Sequence, residues 1–85
     1  MDLAITRAQF DAIGRAKHLP DVLKGVLERA KPSGDGVELH LTYEEATALQ
    51  ELCAWNVHMD AAGNVTGDSR VYDELVNAIL THPEY

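Results

Sequence analysis

The sequence predicts a mainly α domain with a minor β component: about four short helices and one or two short β-strands in a single unit spanning residues 1–85. Three observations lead there. Four segments repeat apolar residues at helical spacing, residues 37–41 alternate with period two, and two capping-box signatures, Thr6 with Gln9 and Thr42 with Glu45, announce helix starts. In a capping box the hydroxyl and the third side chain satisfy backbone N–H groups that the first helical turn leaves free.

A short apolar stretch, Leu3-Ala4-Ile5, leads into the first cap. The helix that follows runs from about Arg7 to His18, with Phe10, Ile13 and Ala16 or Lys17 on one face, and stops before Pro20, whose ring disfavours a helical residue ahead of it. Pro20 can then open a second helix, where Asp21 complements the positive end of the helix dipole. Val22, Leu23, Val26, Leu27 and Ala30 form its apolar stripe. Together, residues 6–31 make a basic helical pair. Gly14 and Gly25 fall inside these helices, where each costs about 1 kcal/mol relative to alanine, so another backbone is expected to approach them closely.

Pro32-Ser33-Gly34-Asp35-Gly36 reads as a loop, residues 32–36, within the one domain. After it, Val37, Leu39 and Leu41 alternate with Glu38 and His40, the pattern of a half-buried strand at 37–41. Its backbone N–H and C=O groups need partners. Pairing with Leu3-Ala4-Ile5 is the preferred solution; pairing with the same strand of a second copy, a homodimer through strand 37–41, is the alternative.

The third helix spans about Tyr43 to Met59, inside an acidic helical region 42–60. Ala46, Leu49, Leu52, Cys53, Val57 and Met59 fill one arc, while Glu44, Thr47, Glu51 and His58 gather opposite. Asn56 falls within the apolar arc and reads as a satisfied buried amide. Trp55 lies near the edge of the arc, beside the acidic face. Its preferred reading is closure of the core against the last helix; the competing one is an interface anchor. A turn-rich loop, Ala61 to Gly67, leads to a fourth, acidic helix over 69–80, capped by Asp68 or Ser69, with Val71, Tyr72, Leu75, Ala78 and Ile79 inward. Thr81 to Tyr85 reads as a frayed tail.

Composition narrows the function classes. The chain carries a net charge of −7, unevenly spread: residues 1–31 hold six bases and four acids, a net of +2, whereas residues 32–85 hold one base, Arg70, and ten acids, a net of −9. Apolar runs are at most four residues long, which predicts no membrane span, and the N-terminal residues lack a secretory pattern, so a cytoplasmic location is expected. A single cysteine, Cys53, excludes an internal disulfide and any cysteine-based zinc cluster. Four histidines stand at spacings that predict no metal site, since none forms a helical i, i+4 pair. The loop from Asp60 lacks the ligands of a calcium loop, with Ala62 at its third position and Val71 at its twelfth. Neither Glu44-Glu45 nor Asp73-Glu74 forms a catalytic carboxylate pair, because neighbours on a helix point about 100° apart. Without a triad, a phosphate loop or a dinucleotide fingerprint, no catalytic residue, cofactor or metal is assigned, and the chain is not expected to be an enzyme.

The reading that remains is a small acidic protein-interaction module, such as a regulator, adaptor, inhibitor or antitoxin-like partner. Its candidate binding residues are Glu44, Glu51, Trp55 and His58, facing a protein partner of basic character. The alternative is a helix-turn-helix-like nucleic-acid-binding regulator using helices 6–31, which hold six of the seven bases. Net negative charge opposes it by repelling phosphate. A small enzyme or metal-binding protein is the second alternative.

Overall fold

The computed structural model describes all residues, 1–85. In chain order the elements are β1 (Asp2–Thr6), α1 (Arg7–Arg15), α2 (Asp21–Arg29), β2 (Lys31–Ser33), β3 (Gly36–His40), α3 (Tyr43–Trp55) and α4 (Arg70–Leu80). The architecture is α+β, with one strand more than the sequence pattern predicts. All three strands are antiparallel in the order β1-β3-β2, so β3 is central.

Alternation sorts the sheet into two faces. Leu3 opposes Leu39 and Ile5 opposes Val37, and these four, with Leu41 just beyond β3, point into the core. Asp2 opposes His40 and Ala4 opposes Glu38 on the outer face. Beyond the strand ends, Met1 and Leu41 exchange two further backbone hydrogen bonds. The strand therefore finds its partners within the chain. With β1 along the whole of one edge and β2 beside Gly36 to Glu38 on the other, the strand has the internal pairing with Leu3-Ala4-Ile5 and does not need a second copy to supply it.

The segment read as a loop at 32–36 is largely a hairpin. Ser33 pairs with Gly36 across a two-residue turn, Gly34-Asp35, and Gly34 takes the positive φ of 58° that the first position of a type II′ turn requires. Lys31-Pro32-Ser33 is exposed throughout and shows no apolar alternation, which is why its pattern does not read as a strand. Pro32 is tolerated there because β2 is an edge strand, where a missing N–H costs no ladder bond. Gly36 is needed for a different reason: a side chain there would run into the backbone carbonyl of Ile5.

Both capping boxes form. The Thr6 hydroxyl accepts from the Gln9 N–H at 3.1 Å while the Gln9 side chain accepts from the Thr6 N–H at 2.9 Å, and Thr42 and Glu45 repeat the arrangement. Helix ends differ more. α1 stops at Arg15, short of His18, which adopts a left-handed conformation with φ of 67°. α3 stops at Trp55, short of Met59. One residue accounts for both. The buried Asn56 amide donates to the Leu52 carbonyl at 2.9 Å, occupying an end group of α3, and also pairs with the backbone of Lys17 in both directions at 3.2 Å. As a result Met59 lies outside the helix, exposed, in a bridge with Val65.

Ser69 is buried rather than capping α4 with its side chain. Its hydroxyl accepts from the His58 N–H at 3.0 Å and meets the Thr66 hydroxyl at 2.8 Å, knitting the α3–α4 loop together. α4 buries Tyr72, Leu75 and Ile79, and the Tyr72 hydroxyl donates to the Ala12 carbonyl of α1 at 2.8 Å. The tail is docked, not frayed. Tyr85 stacks on Tyr43 with ring centroids 5.3 Å apart, its hydroxyl meets that of Thr47 at 3.1 Å, and the His82 Nε2 lies 2.8 Å from the Asp2 carbonyl oxygen. The Glu84 N–H donates to His82 Nδ1, so Nε2 carries the proton that Asp2 accepts.

Neither helical glycine meets another backbone: nothing approaches within 4 Å of a Cβ at Gly14, and only the Arg29 side chain does so at Gly25. A paired test follows. Gly36→Ala should destabilise the domain by about 1–3 kcal/mol through displacement of β1, whereas Gly14→Ala should stabilise it by about 0.5–1 kcal/mol. Urea unfolding midpoints of the two variants should move in opposite directions.

Candidate functional site

Helices α2 and α3 leave an open groove between them, about 470 Å³ in volume. One wall comes from the α1–α2 linker and the start of α2, with His18, Pro20 and Val22; the other comes from α3, with Ala48, Glu51, Leu52 and Trp55. The α3 residues fall there by helical arithmetic. Positions 44, 48, 51 and 55 succeed one another at i, i+4, i+7 and i+11, a single stripe along the helix. Leu52, one step inward, is buried and joins the groove to the core.

Trp55 is the feature that the fold leaves unexplained as packing. It is 78% exposed, and Val22 across the groove is 49% exposed. The core-closing reading of Trp55 is thereby overturned: α3 ends at this residue and presents it outward, and Tyr72, Leu75 and Ile79 of α4 complete the core without it. Of the four predicted binding residues, Glu51 and Trp55 line the groove together. Glu44 lies on the same stripe, at the start of α3 and beyond the groove's end. His58 does not line the groove: α3 stops at Trp55, and the His58 backbone is held by Ser69. Pro20, Val22 and Ala48 escaped the sequence reading, although the 44/48/51/55 stripe was available there to place Ala48.

The cations of the helical pair are partly engaged. Lys24 pairs with Asp21 at 3.0 Å, Arg29 pairs with Glu45 at 2.9 Å, and the Arg7 guanidinium sits 5.9 Å from the centre of the Phe10 ring. Backbone donation from Thr42 and the Arg29 guanidinium hold the Glu45 carboxyl below its usual range. Little unpaired positive charge therefore remains on α2 for phosphate contacts.

A second constellation gathers on the outer face of the sheet. Asp2, Glu38 and His40 bring one potential ligand atom each within 4.8 Å of one another. The His40 Nδ1 lies 2.6 Å from Asp2 Oδ1, and this hydrogen bond is the main cause holding the Asp2 carboxyl below its usual range. Linear spacing could not reveal this set, which depends on the β1–β3 register. Asp68 is also held low, chiefly by the Thr66 hydroxyl and then by backbone N–H groups, as part of the α3–α4 loop.

Cys53 is fully buried on the core side of α3, where desolvation pushes its thiol up to about 12. It has none of the exposure a nucleophile needs. No helix of the chain is long and apolar enough to cross a membrane. Compared with protein-family models, curated proteins and solved structures, the chain matches none.

Burial of Cys53 gives a measurable pH response. A thiol that ionises near 9 when unfolded and near 12 when folded favours the protonated folded state, so its stabilising contribution is complete below about 9 and declines as pH rises toward 12. Folded protein should resist a thiol-specific disulfide reagent at pH 8, with labelling that appears only as urea unfolds the chain. Rapid labelling of native protein would show that Cys53 is accessible.

Proposed function

We propose that the chain is a small, non-catalytic interaction module that receives a protein partner in the α2–α3 groove. Exposure of Trp55 carries this reading: a large aromatic side chain stands free on the wall of an apolar groove whose floor is continuous with the core. Exposed apolar patches of this kind mark binding surfaces, and tryptophan is enriched among residues that dominate interface energetics. Val22 and Pro20 supply the facing apolar surface, and Glu51 supplies a charged rim group that joins none of the three ion pairs of the chain. The acidic bias of residues 32–85 favours a partner of basic character through steering. The nucleic-acid alternative has less support, because a net charge of −7 repels phosphate and only Arg15, Lys17 and Lys31 of residues 6–31 are left without an acidic or aromatic partner.

Trp55 is the only tryptophan, so its fluorescence reports this groove alone. In the free protein it should emit as a solvated indole and be readily quenched by iodide. A photo-crosslinking residue placed at Val22 in cells should capture a discrete partner, and Trp55→Ala in the same chain should abolish that adduct while changing stability by no more than about 0.5 kcal/mol. Equal capture from Ala4 on the outer sheet face, or an adduct that survives Trp55→Ala, would contradict the assignment.

A further inference from the structure

The outer face of the sheet holds a donor set that the interaction reading does not use. Glu38 and His40 stand at i and i+2 on β3, which places both on one face, and the antiparallel register puts Asp2 of β1 directly opposite His40. We propose that Asp2, Glu38 and His40 form a site for a divalent cation, with zinc as the ion best matched to one imidazole nitrogen and two carboxylate oxygens.

Three features carry this assignment. First, the ligands project from paired strands and not from loops, and β3 is the central strand, so their backbone positions are fixed. Secondly, the distances suit the ion. Zinc holds nitrogen and oxygen donors at about 2.0–2.2 Å, so tetrahedral ligands lie ~3.3 Å from each other. The Asp2–His40 pair, now 2.6 Å apart, needs to open by ~0.7 Å, and Glu38, within 4.8 Å of both, needs to close by at most ~1.5 Å. Asp2 and His40 are exposed and Glu38 is half-buried, so side-chain rotation supplies these shifts without moving the strands. Thirdly, the charge of Glu38 is not balanced by a neighbour. Asp2 pairs with His40 and also feels the N-terminal ammonium and His82, whereas Glu38 joins no ion pair, even though Lys31 lies opposite it in register. Two carboxylates and a neutral imidazole would neutralise a divalent ion. Three protein ligands on an open surface leave the fourth position to water, the composition of an open zinc site.

The test is calorimetric titration of untagged full-length protein with zinc chloride at pH 7, combined with its thermal unfolding with and without zinc. One equivalent should bind and raise the melting temperature. Glu38→Gln, which keeps the shape of the side chain, and His40→Ala should each weaken zinc binding at least tenfold, while His58→Ala should leave it unchanged. The zinc-free melting temperature of Glu38→Gln serves as the check on folding. Absence of binding below millimolar zinc, or binding that persists unchanged in both Glu38→Gln and His40→Ala, would overturn the site.

Discussion

The two-sided pairing of β3 is the constraint on which the rest of the structure depends. A strand of five residues satisfies its backbone on β1 at one edge and β2 at the other, and buries Val37 and Leu39 beneath α1 and α2. The remaining elements are placed by it. β1 leads directly into the capping box of α1, the hairpin from β2 fixes where α2 must end, and β3 feeds the capping box of α3. The core of 17 apolar residues draws on every helix and on both longer strands, so an 85-residue chain closes a core without disulfides.

Much of this was legible in the sequence where local chemistry decides structure. Thr6/Gln9 and Thr42/Glu45 specify helix starts because the capping interaction lies within four residues. Val37 to Leu41 specifies a strand because one of its faces is buried. What escaped depends on distant partners. β2 has three exposed residues and exists only because a Gly34-Asp35 turn folds it back on β3. The end of α3 was misplaced because Asn56 was assigned to the apolar arc, whereas its amide binds Lys17, 39 residues earlier in the chain. The tail was read as free because stacking of Tyr85 on Tyr43 crosses nearly half of the sequence.

The candidate site follows the same division. Helical periodicity already grouped Glu44, Glu51 and Trp55, but the facing wall of Pro20 and Val22 required the packing of α2 on α3. Early termination of α3 then altered the meaning of two residues, removing His58 from the stripe and leaving Trp55 at the helix end, where no later turn covers it. The asymmetry of charge also gains a location. Several bases of residues 1–31 are engaged by acids or an aromatic ring, so the free carboxylates of α3 dominate what a partner would meet at the groove. The groove and the Asp2–Glu38–His40 face are built from different residues, which makes them separable by mutation.

Native-state hydrogen exchange of the β3 backbone tests the central claim most directly. If β3 is paired on both edges within one chain, the amides of Val37 to Leu39 should exchange only through global unfolding, at rates independent of protein concentration and far slower than those of the exposed loop 60–64. Fast exchange along β3, or protection that grows with protein concentration, would mean that one edge is open or is supplied by a second copy, and would contradict the account.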